Sequence, residues 1–139
     1  MPETLTDDDY RRLLEFRNGL RRFLRWSESQ AEVEQLTPAQ HQLLLAIRGH
    51  DGDPTIGDVA DSLLLRHHSV VGLVNRAQDA DLVERRVDRD DQRYVRLRLT
   101  ASGRRHIERL TGLHLEELAR LAPRMRPAWA GLEKRGKSR

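Results

Sequence analysis

The spacing of apolar residues changes near residue 80, and this change constrains the fold more than any other feature. From Val70 to Ala77, apolar residues recur every three or four positions, which is the period of one face of an α-helix. From Val83 to Leu99 they alternate with charged residues, which is the period of a half-buried β-strand. The segment 88–93 interrupts the alternation and is too polar for a strand interior. The sequence therefore predicts a helix followed directly by a β-hairpin with a charged tip.

Capping residues mark the starts of the helices. Thr37 is followed by a proline and, three residues on, by Gln40, which is the pattern of a capping box. Thr55 has an acidic residue at the same spacing, and Thr6 and Thr100 precede two further helical patterns. Together with the apolar periodicity, these caps predict helices at about 7–32, 38–49, 56–64, 67–80 and 101–122.

The carboxyl-terminal segment contains two prolines, which normally interrupt a helix. Pro123 is expected to end the last long helix. After Pro127, one short helical turn is expected around Trp129 and Leu132, and residues 134–139 are expected to form a disordered basic tail.

The composition excludes several classes of protein. The chain has no cysteine, so it holds neither disulfides nor thiolate metal sites. No apolar run approaches the roughly 18 residues of a membrane span, and acidic residues stand where a signal peptide would have its apolar core. We therefore expect a cytoplasmic protein with no membrane partner.

Arginine supplies nearly all of the positive charge, although the formal net charge is only +3. Lysine occurs only at Lys134 and Lys137. Arginine forms bidentate contacts with phosphate and guanine, which favours a nucleic-acid partner. High GC coding would enrich arginine as well, so composition does not decide the matter.

Two short helices joined by residues 64–66 and followed by a hairpin predict a winged helix-turn-helix at 37–100. In that motif the second helix enters the major groove of double-stranded DNA. The amphipathic segments on either side, at 7–32 and 101–133, carry apolar stripes that so small a unit cannot cover. We therefore expect a homodimer in which they form a helical dimerisation region. The predicted fold is mainly α with a small β-hairpin wing, in a single domain spanning residues 1–139.

The second helix of this motif has a polar face opposite its apolar stripe. The residues on or beside that face that are predicted to contact DNA are His67, His68, Ser69, Gly72, Asn75 and Arg76. A mid-helix glycine costs about 1 kcal/mol relative to alanine, and close approach to a DNA backbone or a thymine methyl would explain it. The alternative is an ordinary solvated helix face.

The hairpin is rich in arginine. Six arginines fall within 85–98, opposed by three aspartates. An arginine at a wing tip can enter a minor groove, and a neighbouring aspartate can hold its guanidinium through a bidentate pair. Arg93, with Asp91 close by, is predicted to have this role, and Arg89 is the second candidate. The alternative is a charged surface hairpin whose mixed charge keeps the protein soluble.

Several segments carry a further pattern: Leu36-Thr37-Pro38-Ala39-Gln40, Ile56-Gly57-Asp58-Val59-Ala60, Ser69 to Arg76, Leu82-Val83-Glu84-Arg85, and Asp91-Gln92-Arg93 with Leu97-Arg98-Leu99-Thr100-Ala101-Ser102-Gly103. Together they resemble the MarR family of bacterial transcription regulators over about residues 7–122. The resemblance implies an obligate homodimer that binds a pseudo-palindromic operator, and we expect the protein to act as a repressor. Carried over by position, Ser69, Asn75 and Arg76 match recognition-helix contacts, and Asp91 and Arg93 match a wing pair.

The resemblance also implies release from DNA by a small aromatic or phenolic effector. Trp26 and His41 are the candidates for its pocket, with core packing as the alternative for each. The family usually has glycine where this chain has Asp81, and aspartate tolerates the left-handed conformation that such a turn needs.

Other functional classes find little support. His67-His68-Ser69 lacks the setting of a nucleophile elbow, and no phosphate-binding glycine loop occurs, so neither an enzyme nor a cofactor is predicted. None of the six histidines pairs with another four residues away, and no metal site is predicted. The main rival is a winged helix that binds protein without specific DNA binding.

Overall fold

The computed structural model describes residues 3–139; Met1 and Pro2, which the predicted single domain includes, lie outside the described residues. The elements, in chain order, are α1 (Asp7–Val33), α2 (Pro38–Arg48), α3 (Ile56–Leu63), α4 (His67–Asp79), β1 (Val83–Val87), β2 (Val95–Leu99) and α5 (Ala101–Lys137). The predicted fold class, mainly α with a β-hairpin wing, is confirmed. The chain divides into two compact units, one comprising the residues up to Ser29 with Gly112–Arg139, the other Gln30–Thr111.

The second unit has an apolar core built from the predicted stripes. Leu43 and Leu44 of α2, Val70 and Val74 of α4 and Leu97 of β2 are fully buried. The predicted capping boxes start α2 and α3: Thr37 and Thr55 each accept a hydrogen bond from the backbone three residues on. These caps satisfy amides that would otherwise lack partners, and so fix where each helix begins.

The hairpin pairs β1 with β2 in antiparallel register, with Val83 opposite Leu99 and Arg85 opposite Leu97. The loop before α3 adds one more connection, because the amide of Leu97 donates to the carbonyl oxygen of Pro54 at 2.7 Å. The wing is thereby anchored to the helix-turn-helix as well as to itself.

Thr100 links the turn before β1 to the first turn of α5. Thr100 Oγ1 donates to the carbonyl oxygen of Asp81 at 2.6 Å and accepts from the amide of Gly103 at 3.0 Å. A Cβ atom on Gly103 would lie 2.1 Å from the carbonyl oxygen of Leu82, so only glycine fits there. The segment Leu99-Thr100-Ala101-Ser102-Gly103 therefore connects the wing to α5 through these contacts.

Among residues 3–139, three non-glycine residues adopt the left-handed conformation, each at the end of a helix. They are Gln35 with φ 63°, Leu64 with φ 56° and Asp81 with φ 58°. The expectation for Asp81 is confirmed. Leu64, in the turn between α3 and α4, had no such signal in the sequence, since leucine rarely adopts this conformation.

The prediction that Pro123 ends the last helix is wrong, as is the prediction of a disordered tail at 134–139. Helix α5 continues through Pro123 and Pro127 to Lys137. Each proline removes one backbone hydrogen bond, but packing against α1 compensates. The Trp129 ring lies 5.8 Å from that of Phe16.

Ion pairs at the end of α5 add to that packing. Arg135 Nε donates to Asp9 Oδ1 at 2.8 Å, and the same guanidinium pairs with Glu3. Tertiary contacts of this kind override local propensity, which is why the sequence alone misplaced the end of the helix.

The first unit also leaves many large apolar side chains in contact with solvent. On α1 and α5, nine of them are between 39% and 63% exposed: Tyr10, Leu13, Leu14, Leu20, Leu24, Leu113, Leu115, Leu118 and Trp129. Across residues 3–139, no helix combines the length and the apolar character that a membrane crossing requires.

Candidate nucleic-acid interface

Helix α4 presents the polar face that the sequence predicts. Its stripe of Val70, Leu73, Val74 and Ala77 is buried. The predicted contacts His67, His68, Ser69, Asn75 and Arg76 are exposed, whereas Gly72 is half-buried. The helix begins at His67 without a side-chain cap from Arg66, which leaves amide groups of its first turn open to an anion such as a DNA phosphate.

Gly72 accommodates a neighbouring side chain. A Cβ atom built on Gly72 would lie 3.3 Å from Nη1 of Arg76, so the guanidinium lies across the helix surface at the glycine. The structure thus gives the glycine a role toward Arg76 that the sequence did not indicate, beside the predicted approach to DNA.

A residue that sequence reasoning missed, Arg85 of β1, lies beside this face. Its Nη2 donates to Oδ1 of Asn75 at 2.7 Å, and its Nη1 donates to Oε1 of Gln78. A signal was present, because the two-residue period of the strand puts Arg85 on the same side as Val83, which is buried. A half-buried arginine at such a position has a partner in the fold.

The wing tip holds the predicted pair. Both oxygens of Asp91 accept from Arg93, with Oδ1 at 2.9 Å from Nε and Oδ2 at 2.7 Å from Nη2. The Arg93 side chain is 84% exposed. These hydrogen bonds lower the pKa of the Asp91 carboxyl and raise that of Arg93, so the pair stays ionised well below neutral pH. Arg89 is exposed at the same tip.

The base of the tip is organised by a second pair that the sequence did not reveal. Asp88 Oδ1 accepts from the amides of Asp90 and Asp91 at 2.8 and 3.0 Å, while its Oδ2 accepts from Nε of Arg96 at 2.8 Å. The bond from Arg96 is the main cause of a lowered pKa at Asp88. Arg96 also stacks on Tyr94, with 5.8 Å between guanidinium carbon and ring centroid. Arg93 is therefore presented from a loop with its own internal bonds.

Residues 34–93, which include α2, α3, α4 and most of the wing tip, match the model of the MarR family. Over this stretch, which is less than half of the chain, the sequence is similar to that family. Comparison of the sequence with curated proteins gives no match.

Solved structures of MarR-family proteins share the fold. A MarR family protein from Bacillus stearothermophilus is 24% identical with a TM-score of 0.71, over 85% of this chain and 82% of that one. The S. aureus MepR–DNA complex is 24% identical with a TM-score of 0.66, over 77% of this chain and 78% of that one. CouR from Rhodococcus jostii, bound to p-coumaroyl-CoA, is 22% identical with a TM-score of 0.66, over 78% and 74%.

The two candidate effector residues belong to different units. Trp26 lies in the first unit, where its ring packs 4.9 Å from that of His114 and 6.0 Å from that of Phe23. It lines a cleft of about 360 Å³ together with Phe16 and Arg22. His41 lies in the second unit and is 8% exposed. Within residues 3–139, no group of three or more acidic or histidine side chains is placed to hold a metal ion.

Proposed function

We propose that this protein is a transcription regulator that binds a pseudo-palindromic operator in double-stranded DNA as a homodimer in the cytoplasm, acting as a repressor. The observation that carries the proposal is the pairing, within one compact unit, of the exposed polar face of α4 with the arginine-tipped wing. A recognition helix suits the major groove and a wing arginine suits the minor groove. Phosphate contacts from the first turn of α4 would set the register on the duplex.

The proposed homodimer is supported by the apolar surface of the first unit. Nine large apolar side chains of α1 and α5 are between 39% and 63% exposed, and a cluster of exposed apolar side chains favours an interaction surface. A second copy is the occupant that we propose, because a twofold dimer places two recognition helices about one DNA turn apart. Sedimentation velocity tests this, and glutamate at both Leu115 and Leu118 is expected to shift the protein toward monomer.

We extend the proposal to a small aromatic effector. The cleft lined by Phe16, Phe23 and Trp26 offers aromatic rings, and Arg22, which also lines it, offers a cation. The CouR neighbour is bound to p-coumaroyl-CoA. An effector would release the operator only if it binds the non-DNA arrangement more tightly than the DNA-bound one.

A gel-shift titration tests the function. The protein is mixed with the region upstream of its own gene and, separately, with random duplex of the same length, over a series of salt concentrations. We expect preference for the upstream region and a steep fall of log K with log salt, because phosphate contacts release counterions. Equal affinity for both duplexes by a folded dimer would overturn the proposal, and salt-insensitive capture of a protein partner would favour the protein-binding alternative.

A further inference from the structure

We propose that Arg85 makes Asn75 and Gln78 donor-only readers of DNA bases, so that operator positions facing them carry guanine or thymine acceptors in preference to adenine. The inference rests on the proposed function and adds a specificity determinant outside the recognition helix.

The guanidinium of Arg85 holds two amide side chains at once. Its Nη2 lies 2.7 Å from Oδ1 of Asn75, and its Nη1 bonds Oε1 of Gln78. The two amides are three residues apart in α4, so they are neighbours on one exposed face of the helix.

Chemistry fixes the orientation of both amides. A guanidinium has five N–H donors, no acceptor and a permanent charge, so only the amide oxygen can face it. The NH₂ groups of Asn75 and Gln78 must then point away from Arg85. Hydrogen bonds from a charged donor are about twice as strong as neutral ones, so the oxygens are held in place before DNA arrives.

This orientation changes what the amides can read. Asparagine and glutamine recognise adenine by accepting from its N6 amino group while donating to N7, which needs both ends of the amide. Because the Asn75 oxygen is turned toward Arg85, the amide presents its donor end on the other side. Guanine N7 and O6 and thymine O4 are pure acceptors in the major groove, and they suit such a donor without placing an amino group beside it.

The register of the hairpin puts Arg85 where it can do this. Arg85 lies opposite Leu97 and is half-buried beside α4, whereas Arg86, the next residue, pairs with Glu84 of its own strand at 3.1 Å. Arg86 therefore provides a matched control, because it carries the same charge on the same strand without contacting the amides.

The test measures relative affinity for operator variants carrying each of the four bases at every position. Asn75→Ala first identifies the position that Asn75 reads. At that position we expect the wild type to disfavour adenine, and Arg85→Met to raise the relative affinity for adenine about tenfold, because the freed oxygen can accept from N6. Arg86→Met is expected to weaken all operators by a common factor, since it removes charge only.

The outcomes separate the two proposals. A uniform loss of affinity in Arg85→Met with unchanged base preference, or a wild-type preference for adenine at the Asn75 position, overturns the role of Arg85 and leaves the regulator intact. Should Arg85→Met not fold, Arg85→Lys keeps the charge and the aliphatic stem but cannot hold both amides with one fork. Arg85→Lys is then expected to relax the discrimination against adenine at the operator position read by Asn75, at the one read by Gln78, or at both. Unchanged base preference at both positions would overturn the inference. Absence of any operator preference in the wild type overturns the proposed function itself.

Discussion

Gly72 makes room for the guanidinium of Arg76, since a Cβ atom on the glycine would lie 3.3 Å from Nη1 of that arginine. Gly72→Ala should raise the free energy of unfolding by up to about 1 kcal/mol, because alanine is the better helix former. The added methyl should also displace Arg76 and lower operator affinity. Urea unfolding and fluorescence anisotropy measure the two effects.

Gly112 of α5 is the matched control, since nothing lies within 4 Å of a Cβ built there. Gly112→Ala should stabilise the fold by a similar amount and leave operator binding unchanged. If Gly72→Ala binds its operator as tightly as the wild type, the glycine serves only the fold.

Arg93→Ala should lower operator affinity. It should also make the slope of log K against log salt shallower by about one for each wing, because each subunit then places one fewer positive side chain at the DNA. Arg120→Ala removes an equally charged and 75% exposed arginine from the first unit, and should leave the slope as it is. An unchanged slope in Arg93→Ala would mean that the wing arginine does not contact DNA. Anisotropy titrations at four or more salt concentrations are sufficient.

Asp88→Ala should loosen the wing tip without unfolding the protein. The amides of Asp90 and Asp91 lose their acceptor, and Arg96 loses its partner. We expect faster hydrogen exchange across residues 88–94 and weaker operator binding, because Arg93 is then presented from a mobile loop. Asp90→Ala, which removes the same charge from the same tip, should leave exchange nearly unchanged. Equal exchange in the two variants would contradict the role given to Asp88.

Glu34 ties the end of α1 to α5, accepting from Nε and Nη2 of Arg109 at 3.0 and 2.9 Å and bonding His106 Nδ1 at 2.8 Å. The bond from Arg109 is the main cause of its lowered pKa. Glu34→Gln should cost about 1–3 kcal/mol of unfolding free energy at pH 7. The folded-state pKa lies below the unfolded value of roughly 4.3. The contribution is therefore complete above that pH and is lost as pH falls through the folded-state value.

Urea unfolding between pH 7 and pH 3 checks this behaviour. The difference in unfolding free energy between the wild type and Glu34→Gln should stay constant down to about pH 5 and then fall toward zero. Glu133→Gln breaks an exposed pair with Lys137 and should cost less than about 0.5 kcal/mol throughout. If this difference in unfolding free energy does not change with pH, the charge of the carboxylate is not what stabilises the fold.

Much of the fold could be predicted because it is encoded locally. Thr37 and Thr55 cap their helices within three residues, and Asp91 reaches Arg93 two residues away. Such interactions need only the correct local backbone, which the sequence pattern specifies. The winged helix and the composition of its polar faces followed from these short-range signals.

What the sequence left out depends on contacts between distant residues. The bond from Arg85 to Asn75 requires the hairpin to fold back on α4, and the path of α5 past Pro123 requires packing on α1 by residues such as Trp129. No local propensity carries that information, and proline alone argues against the helix that forms. The roles assigned to His67, His68 and the other DNA-facing residues stay predictions until operator binding is measured.

Two of the residues in the left-handed conformation, Leu64 and Gln35, are positions where glycine should increase the thermal stability of the fold. Leu64 is 91% exposed in a conformation that glycine adopts freely. Glycine there, and at Gln35, would relieve the conformational strain of two helix ends. A more stable variant could thus be made for crystallisation or for use in a biosensor.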